Sequence, residues 1–264
     1  GLLRMRKKLG LYANLRPTFT FESLLEMSPI KRNIVKGTDL IFVRELTGGI
    51  YFGKRGKSPE NDYAFDTCEY KKEEVERIAK IGFELARKRS KKLCCIDKAN
   101  VLETSRLWRK TVQSMERNYK DIEVTYEFVD AVAMRLIHSP NKYDVLITSN
   151  LFGDILTDEA SVISGSMGLM PSASIGSQTS VYEPIHGSFP EAKGKNIANP
   201  LATILSASMM FERSFNLTKE ADMIRKIVSD SIEKKIVTED LAVNNKSFST
   251  VQVGDWIKER IEKE

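Results

Sequence analysis

Short apolar runs alternate with longer segments of helical spacing along most of this sequence, and that alternation restricts the fold more than any other feature. Lys71 to Ser90 places Val75, Ile78, Ala79, Gly82, Leu85 and Ala86 on one stripe opposite a charged face, the pattern of an amphipathic helix. Lys92 to Asp97 (KLCCID) follows as a short buried strand. Glu103 to Tyr119 returns to helical spacing through Leu107, Trp108, Val112 and Met115, Glu123 to Val129 alternates like a strand, and Tyr143 to Thr148 (YDVLIT) reads as another. Leu40 to Val43 is a buried strand behind a polar lead-in from Lys36, and Leu2, Leu3, Met5 and Leu9 are spaced to pack one face of a short helix. Asn150 predicts an N-cap for a helix over about Leu151 to Ser164. Ile197 to Ser214, Ala221 to Lys235 and Val253 to Lys263 are predicted helices. Gly48, Gly49, Gly53, Gly56 and Pro59 make Glu45 to Asp66 a loop or β-ribbon, and Gly165 to Ser180, rich in Gly and Ser, reads as connector. The expected fold class is α/β with at least part of the sheet parallel, divided near Gly165.

Composition removes several function classes. A chain of 264 residues with 41% hydrophobic and 29% charged residues is ordinary globular protein and buries a core without staples. The net charge of +5 is mild. Basic clusters at Arg4 to Lys8 and Arg87 to Lys92 read as solvated helix faces with no interleaved aromatics, so no nucleic-acid partner is expected. Cys68, Cys94 and Cys95 are odd in number and lack a C-x-x-C spacing, which argues against a disulfide framework or a zinc site. His138 and His186 are too few and too far apart for a histidine metal site. No run approaches roughly 18 apolar residues, and the first residues are basic and amphipathic. No membrane partner is therefore expected, and a cytoplasmic location is the default.

Carboxylates and arginines supply the candidate chemistry. Asp154 and Asp158 stand at i and i+4 on one helix face, and Asp130 ends a strand. The three could converge on a hard cation, Mg²⁺ or Mn²⁺, or Asp154 could favour the helix dipole while Asp158 is surface. Arg6, Arg16 and Arg44 stand beside apolar segments, suited to bidentate carboxylate recognition or to snorkelling at the surface. Tyr51 and Lys98 are candidates for proton transfer, although Lys98 equally suits an ion pair with Asp97. His186-Gly187-Ser188 and the segment from Gly194 to Pro200 flank a short loop before a helix, where Gly187 admits a ligand and Ser188 and Asn199 offer hydrogen bonds. No G-x-G-x-x-G is present.

Several longer motifs occur together and in one order. They are Asn14-Leu15-Arg16-Pro17, the run from Arg44 through Gly48-Gly49 and Tyr51 to Gly53, Asp97-Lys98-Ala99-Asn100-Val101, the run from Ser149 through Asp154 and Asp158 to Glu159, and His186-Gly187-Ser188. Over essentially its whole length the chain resembles the β-decarboxylating dehydrogenases, and within them the isopropylmalate branch. The resemblance implies a two-domain isopropylmalate/isocitrate-dehydrogenase-like fold, not a Rossmann fold of the usual kind. Residues 1–11 and 165–264 would belong to a cofactor-side domain, incomplete here because family chains start upstream of Gly1. Residues 12–164 would form the substrate, metal and dimerisation domain, with an interlocking arm at about 48–66.

The resemblance also implies an NAD-dependent oxidoreductase that decarboxylates 3-isopropylmalate to 2-oxoisocaproate on the leucine pathway. A relative acting on homoisocitrate or tartrate, or an inactive fragment that binds a partner subunit, are the alternatives. Arg6, Arg16 and Arg44 would hold the substrate carboxylates, Tyr51 and Lys98 would be the acid/base pair, and Asp130, Asp154 and Asp158 would bind Mg²⁺ or Mn²⁺. Lys98 and Asp130, the latter also touching substrate, would reach into the site of the other subunit of a homodimer. His186, Gly187, Ser188, Glu191 and Asn199 would bind the cofactor. Glu191 stands where the family usually carries Asp; its carboxylate suits a ribose 2′-hydroxyl and repels a 2′-phosphate, so NAD is implied over NADP.

Overall fold

A computed structural model describes residues 1–242 and 246–264. The chain opens with α1 (Leu2–Leu9), β1 (Leu11–Phe19), the single turn α2 (Arg32–Val35) and β2 (Asp39–Glu45). A ribbon of β3 (Arg55–Lys57) and β4 (Ala64–Asp66) follows, then α3 (Lys72–Lys88), β5 (Lys92–Asp97), α4 (Glu103–Glu116), β6 (Glu123–Phe128) and α5 (Val129–His138). β7 (Val145–Thr148), α6 (Asn150–Ser161), β8 (Pro171–Gly176) and β9 (Ser180–Pro184) lead to α7 (Leu201–Ser214), α8 (Thr218–Glu233) and α9 (Thr250–Ile261). Seven strands share one sheet in the order β6-β5-β7-β2-β1-β8-β9, while β3 and β4 pair antiparallel as a separate ribbon. The α/β architecture matches the expectation. Among the described residues no helix is long and apolar enough to cross a membrane.

The chain forms two compact units, Gly1–Leu15 with Asp39–Glu159 and Ser174–Thr179, and Arg16–Thr38 with Ala160–Ala173 and Ser180–Glu264. Compared with the expected division, residues 1–11 fall in the first unit and residues 16–38 in the second.

In the first unit β2, β7, β5 and β6 run parallel, with Val43 beside Ile147, Ile147 beside Cys95, and Cys95 beside Tyr126. Phe42, Val43, Val145, Leu146 and Ile147 are fully buried, as continuous apolar runs covered on both faces should be. This register brings the carboxyl ends of the strands level, so Arg44, Asp97, Phe128 and Thr148 lie at one end of the sheet. The α3 stripe packs as its spacing predicts, and a Cβ on Gly82 would overlap Ile147 Cγ2 and lie 3.3 Å from Leu93 Cδ1. α1 forms over the expected residues, yet it buries Arg6 and leaves Leu2, Leu3, Met5 and Leu9 exposed.

The second unit is built on α7, α8 and α9, whose Leu201, Leu205, Ile227, Val228, Val253 and Ile257 share one core with Leu24 and Leu169. Ser249 and Gln252 form a reciprocal capping box at the start of α9.

Three elements depart from expectation. The Gly/Ser-rich segment contains the buried strand β8, whose hydroxyls are satisfied: Ser172 Oγ donates to the Glu183 carbonyl, and Ser174 Oγ accepts from Asn14 Nδ2. β1 carries Asn14, Arg16 and Pro17, residues that disguise a strand. Asp130 lies in the first turn of α5, a helix with no advance signal beyond its start.

A Gly82→Ala substitution should destabilise the protein by about 1–3 kcal/mol through overpacking of α3 on β7. Urea unfolding should show a lowered midpoint with an unchanged slope.

Candidate active site

Arg44 is the penultimate residue of β2 and is 1% exposed, so its guanidinium must be paired where it stands. Nη1 donates to Asp154 Oδ1 at 2.5 Å, and both Nε (3.2 Å) and Nη2 (2.9 Å) donate to Asn150 Oδ1. Three of the five N–H donors of the guanidinium are used in these bonds, leaving one on each terminal nitrogen to donate to a ligand. Asp154 lies one turn into α6. Its other oxygen, Oδ2, accepts a 2.7 Å hydrogen bond from the Tyr51 hydroxyl. One carboxylate thus receives an arginine on one side and a phenol on the other.

Local structure explains how α6 comes so near. A Cβ on Gly153 would stand 2.6 Å from Arg44 Cγ, 2.9 Å from Arg44 Cβ and 2.9 Å from Thr148 Cγ2. Asn150, expected as an N-cap, is instead the first helical residue, and its side chain is spent on Arg44 and on the Gly48 carbonyl, to which Nδ2 donates at 3.2 Å.

The loop carrying Tyr51 is held by Glu45, which is fully buried. Its carboxylate accepts from the Thr47 and Gly48 backbone N–H groups at 2.8 and 2.7 Å, from the Thr47 hydroxyl, and from Arg77 at 3.2 Å. Burial raises the Glu45 pKa in spite of these donors. Burial, followed by the hydrogen bond to Asp154, also pushes the Tyr51 phenol upward, while the charges of Arg44 and Arg6 act in the opposite sense. Tyr51 is therefore a protonated donor at neutral pH. Arg6, 8% exposed, acts on the same phenol and so belongs to this cluster. Arg16, also 8% exposed, lies on β1 in the second unit.

Lys98 follows β5, and its Nζ donates to Asp130 Oδ1 at 2.5 Å. That pair holds the Asp130 carboxyl below the usual carboxylate range. Asp97 is not the partner of Lys98. It is 1% exposed and receives the Arg109 fork at 2.7 and 3.0 Å, together with the Ala99 N–H at 2.8 Å. Among the described residues, no three His, Cys, Asp or Glu side chains gather within the chain to hold a metal. Asp130, Asp154 and Asp158 thus do not converge inside one chain. Asp130 meets Lys98, Asp154 meets Arg44 and Tyr51, and Asp158 is exposed one turn beyond Asp154 on α6.

In the second unit the segment between β9 and α7 walls a cavity of about 700 Å³, lined by His186, Gly187, Ser188 and Asn199 among others. Glu191 is exposed between Pro190 and Ala192, both of which line the cavity. Asn199 Oδ1 accepts from the Leu201 N–H at 2.9 Å and its Nδ2 donates to Asp240 Oδ2 at 3.0 Å. Asp240 and Lys193 also line the cavity. Neither was singled out from sequence, because each lies in a polar stretch without periodicity. A Cβ on Gly168 would meet Asn199 Nδ2 at 2.7 Å and Asp240 Oδ2 at 2.9 Å, so a side chain there would displace the Asn199–Asp240 pair.

The family profile described as isocitrate/isopropylmalate dehydrogenase matches residues 1–257. A 3-isopropylmalate dehydrogenase of Bacteroides fragilis is 53% identical over 264 residues, covering 100% of this chain and 74% of that protein. One from Aquifex aeolicus is 49% identical over 267 residues, with 100% and 73% covered. Among solved structures, isocitrate dehydrogenase from Methylococcus capsulatus superposes with a TM-score of 0.90 at 35% identity, covering 98% of this chain and 76% of that one. A β-decarboxylating dehydrogenase from Thermococcus kodakarensis gives 0.82 at 33% identity, with 99% and 72% covered.

Gly153→Ala should force α6 away from Arg44 and lower stability by about 1–3 kcal/mol. A crystal structure of the variant should show the Arg44–Asp154 contact lengthened.

Proposed function

The chain belongs to the isocitrate/isopropylmalate dehydrogenase family, and from that premise we propose that it oxidises and decarboxylates 3-isopropylmalate with NAD and Mg²⁺ or Mn²⁺. The product is 2-oxoisocaproate, on the leucine pathway, and a cytoplasmic location goes with it. The observation that carries the proposal is the Asp154 carboxylate held between Arg44 and the protonated Tyr51.

The donor sets fit the groups required. Asp154 and Asp158 are hard oxygen donors one turn apart on α6, and Asp130 is a third, which suits Mg²⁺ or Mn²⁺ rather than a soft metal. The family resemblance implies a homodimer in which Asp130 and Lys98 serve the site of a second copy, and the separation of the three carboxylates within one chain supports that reading. The cavity beside His186, Gly187, Ser188 and Asn199 has the volume expected of a cofactor subsite, and the Gly187 backbone has open space above it. With Glu191 at its rim, the pocket favours NAD over NADP.

When bound in the cavity lined by His186, Gly187, Ser188 and Asn199, NAD would supply the hydride acceptor, and a divalent cation held by the aspartates would supply charge to offset that on the substrate oxygens. The chain's own residues do the rest. Arg6 and Arg44 hold the substrate carboxylates, and Arg44 is already oriented by Asn150 and Asp154. Lys98, acting as a neutral amine released from Asp130, takes the proton of the C2 hydroxyl. As carbon dioxide leaves, the Tyr51 hydroxyl delivers a proton to the carbon that carried it.

NADH absorbance with 3-isopropylmalate, NAD and Mg²⁺ tests the proposal directly, and turnover is expected. Preference for isocitrate, homoisocitrate or tartrate would reassign the substrate, and no turnover of any of them would replace the enzyme with a partner-binding fragment. Tyr51→Phe should lower kcat by about 10²–10⁴ with little change in KM. Asp154→Asn should abolish Mg²⁺-dependent turnover, and retained activity would count against the metal assignment. If sites are shared, refolding inactive Lys98→Met and Asp154→Asn chains together should restore about a quarter of the wild-type rate, since half the dimers are mixed and each has one intact site.

A further inference from the structure

Asn150 uses every part of itself on groups around Tyr51 and Arg44, although it contacts no position assigned to a reacting atom. It is fully buried. Its Oδ1 takes two donors of Arg44, its Nδ2 donates to the Gly48 carbonyl, and its backbone N–H donates to the Tyr70 hydroxyl at 2.9 Å. Gly48 is thereby held from both sides, because its own N–H is bound by Glu45. The Tyr70 ring presses on the same loop. A Cβ on Gly48 would lie 2.7 Å from Tyr70 Cε1, and the φ of +72° at Gly49 leaves that position to glycine. Tyr70 is in turn fixed edge-on against Trp108 at 5.3 Å. Tyr51 follows two residues after Gly49, and its hydroxyl meets the same carboxylate that Arg44 meets.

We propose that Asn150 is a positioning residue, one amide that sets the Tyr51 proton donor in register with the Arg44 fork. The proposal rests on the roles given above to Tyr51 and Arg44. The chemistry of the amide makes its two ends separable. An aspartate at this position keeps an acceptor for Arg44 but turns an oxygen toward the Gly48 carbonyl, so the loop is released while the arginine stays held. An alanine releases both.

The expected consequence of Asn150→Asp is a fall in kcat of about ten- to a hundredfold with KM for 3-isopropylmalate nearly unchanged. Asn150→Ala should raise KM as well. In a Tyr51→Phe background, Asn150→Asp should cost almost nothing further, because the proton donor it positions is gone. An equal fold-loss in both backgrounds would overturn the proposal, and so would an unchanged kcat in a folded Asn150→Asp protein. Hydrogen exchange supplies a readout that needs no turnover. Amides of residues 47–53 should exchange faster in Asn150→Asp while β5 and β7 keep their protection, and uniform or unchanged exchange would sink the idea. Failure of wild type to turn over 3-isopropylmalate would fault the substrate assignment and leave the exchange result to judge Asn150. Should Asn150→Asp not fold, Tyr70→Phe keeps the ring and removes only the oxygen that accepts the Asn150 N–H. The same segment-restricted exchange and a smaller, Tyr51-dependent loss of kcat are then expected, and their absence would count against the proposal.

Discussion

A guanidinium buried to 1% exposure at the end of a parallel strand governs how the first unit is arranged around it. Left alone, that charge would carry a desolvation cost of several kcal/mol. It is met by a carboxylate and by a carbonyl oxygen of an amide, both on α6, so the helix that follows β7 must lie directly over the end of β2. Gly153 makes that approach sterically possible, and Asn150 extends the constraint to the loop beyond Glu45. Strand end, helix start and loop are thus tied through a single charged group, and the phenol of Tyr51 arrives in place as a consequence.

The two ionic contacts of this unit differ in kind. Arg44 and Asp154 meet where one partner is almost wholly removed from water, so their geometry is enforced by packing as well as charge. Lys98 and Asp130 meet with side chains 26% and 64% exposed, where solvent screens the attraction and little stability is at stake. A weak pair can be exchanged for other partners at small cost. Asp97 stays out of that exchange. Bound by Arg109 and the Ala99 N–H, it fixes the turn from which Lys98 projects.

Sequence alone disclosed the elements whose burial follows a period. The stripe of α3 and the run of β5 needed nothing but spacing, because apolar residues facing one side have few other ways to leave water. It failed where buried positions are polar. β1 hides Asn14 and Arg16, and β8 hides serines, so hydrophobicity gives no cue to either. Within the site, single side chains were legible by type: Arg44, Tyr51 and Asp154 do come together. Pairings were less so. Lys98 takes Asp130, 32 residues on, in place of its neighbour Asp97, and Asn150 serves a strand end 106 residues away in place of its own helix. Adjacency along the chain suggests local partners, while the sheet register chooses distant ones. Asp240, on the wall of the second unit's cavity, carried no signal at all.

The small strand β8 has an implication that runs against ordinary strand preferences. Its serines are not tolerated weaknesses, since Ser172 and Ser174 each complete a hydrogen bond that a neighbour would otherwise lack, with Glu183 and with Asn14. Valine, a far better strand former, would remove the hydroxyl that accepts from the Asn14 amide. A drift of this segment toward greater β-propensity would therefore weaken the sheet it was meant to reinforce.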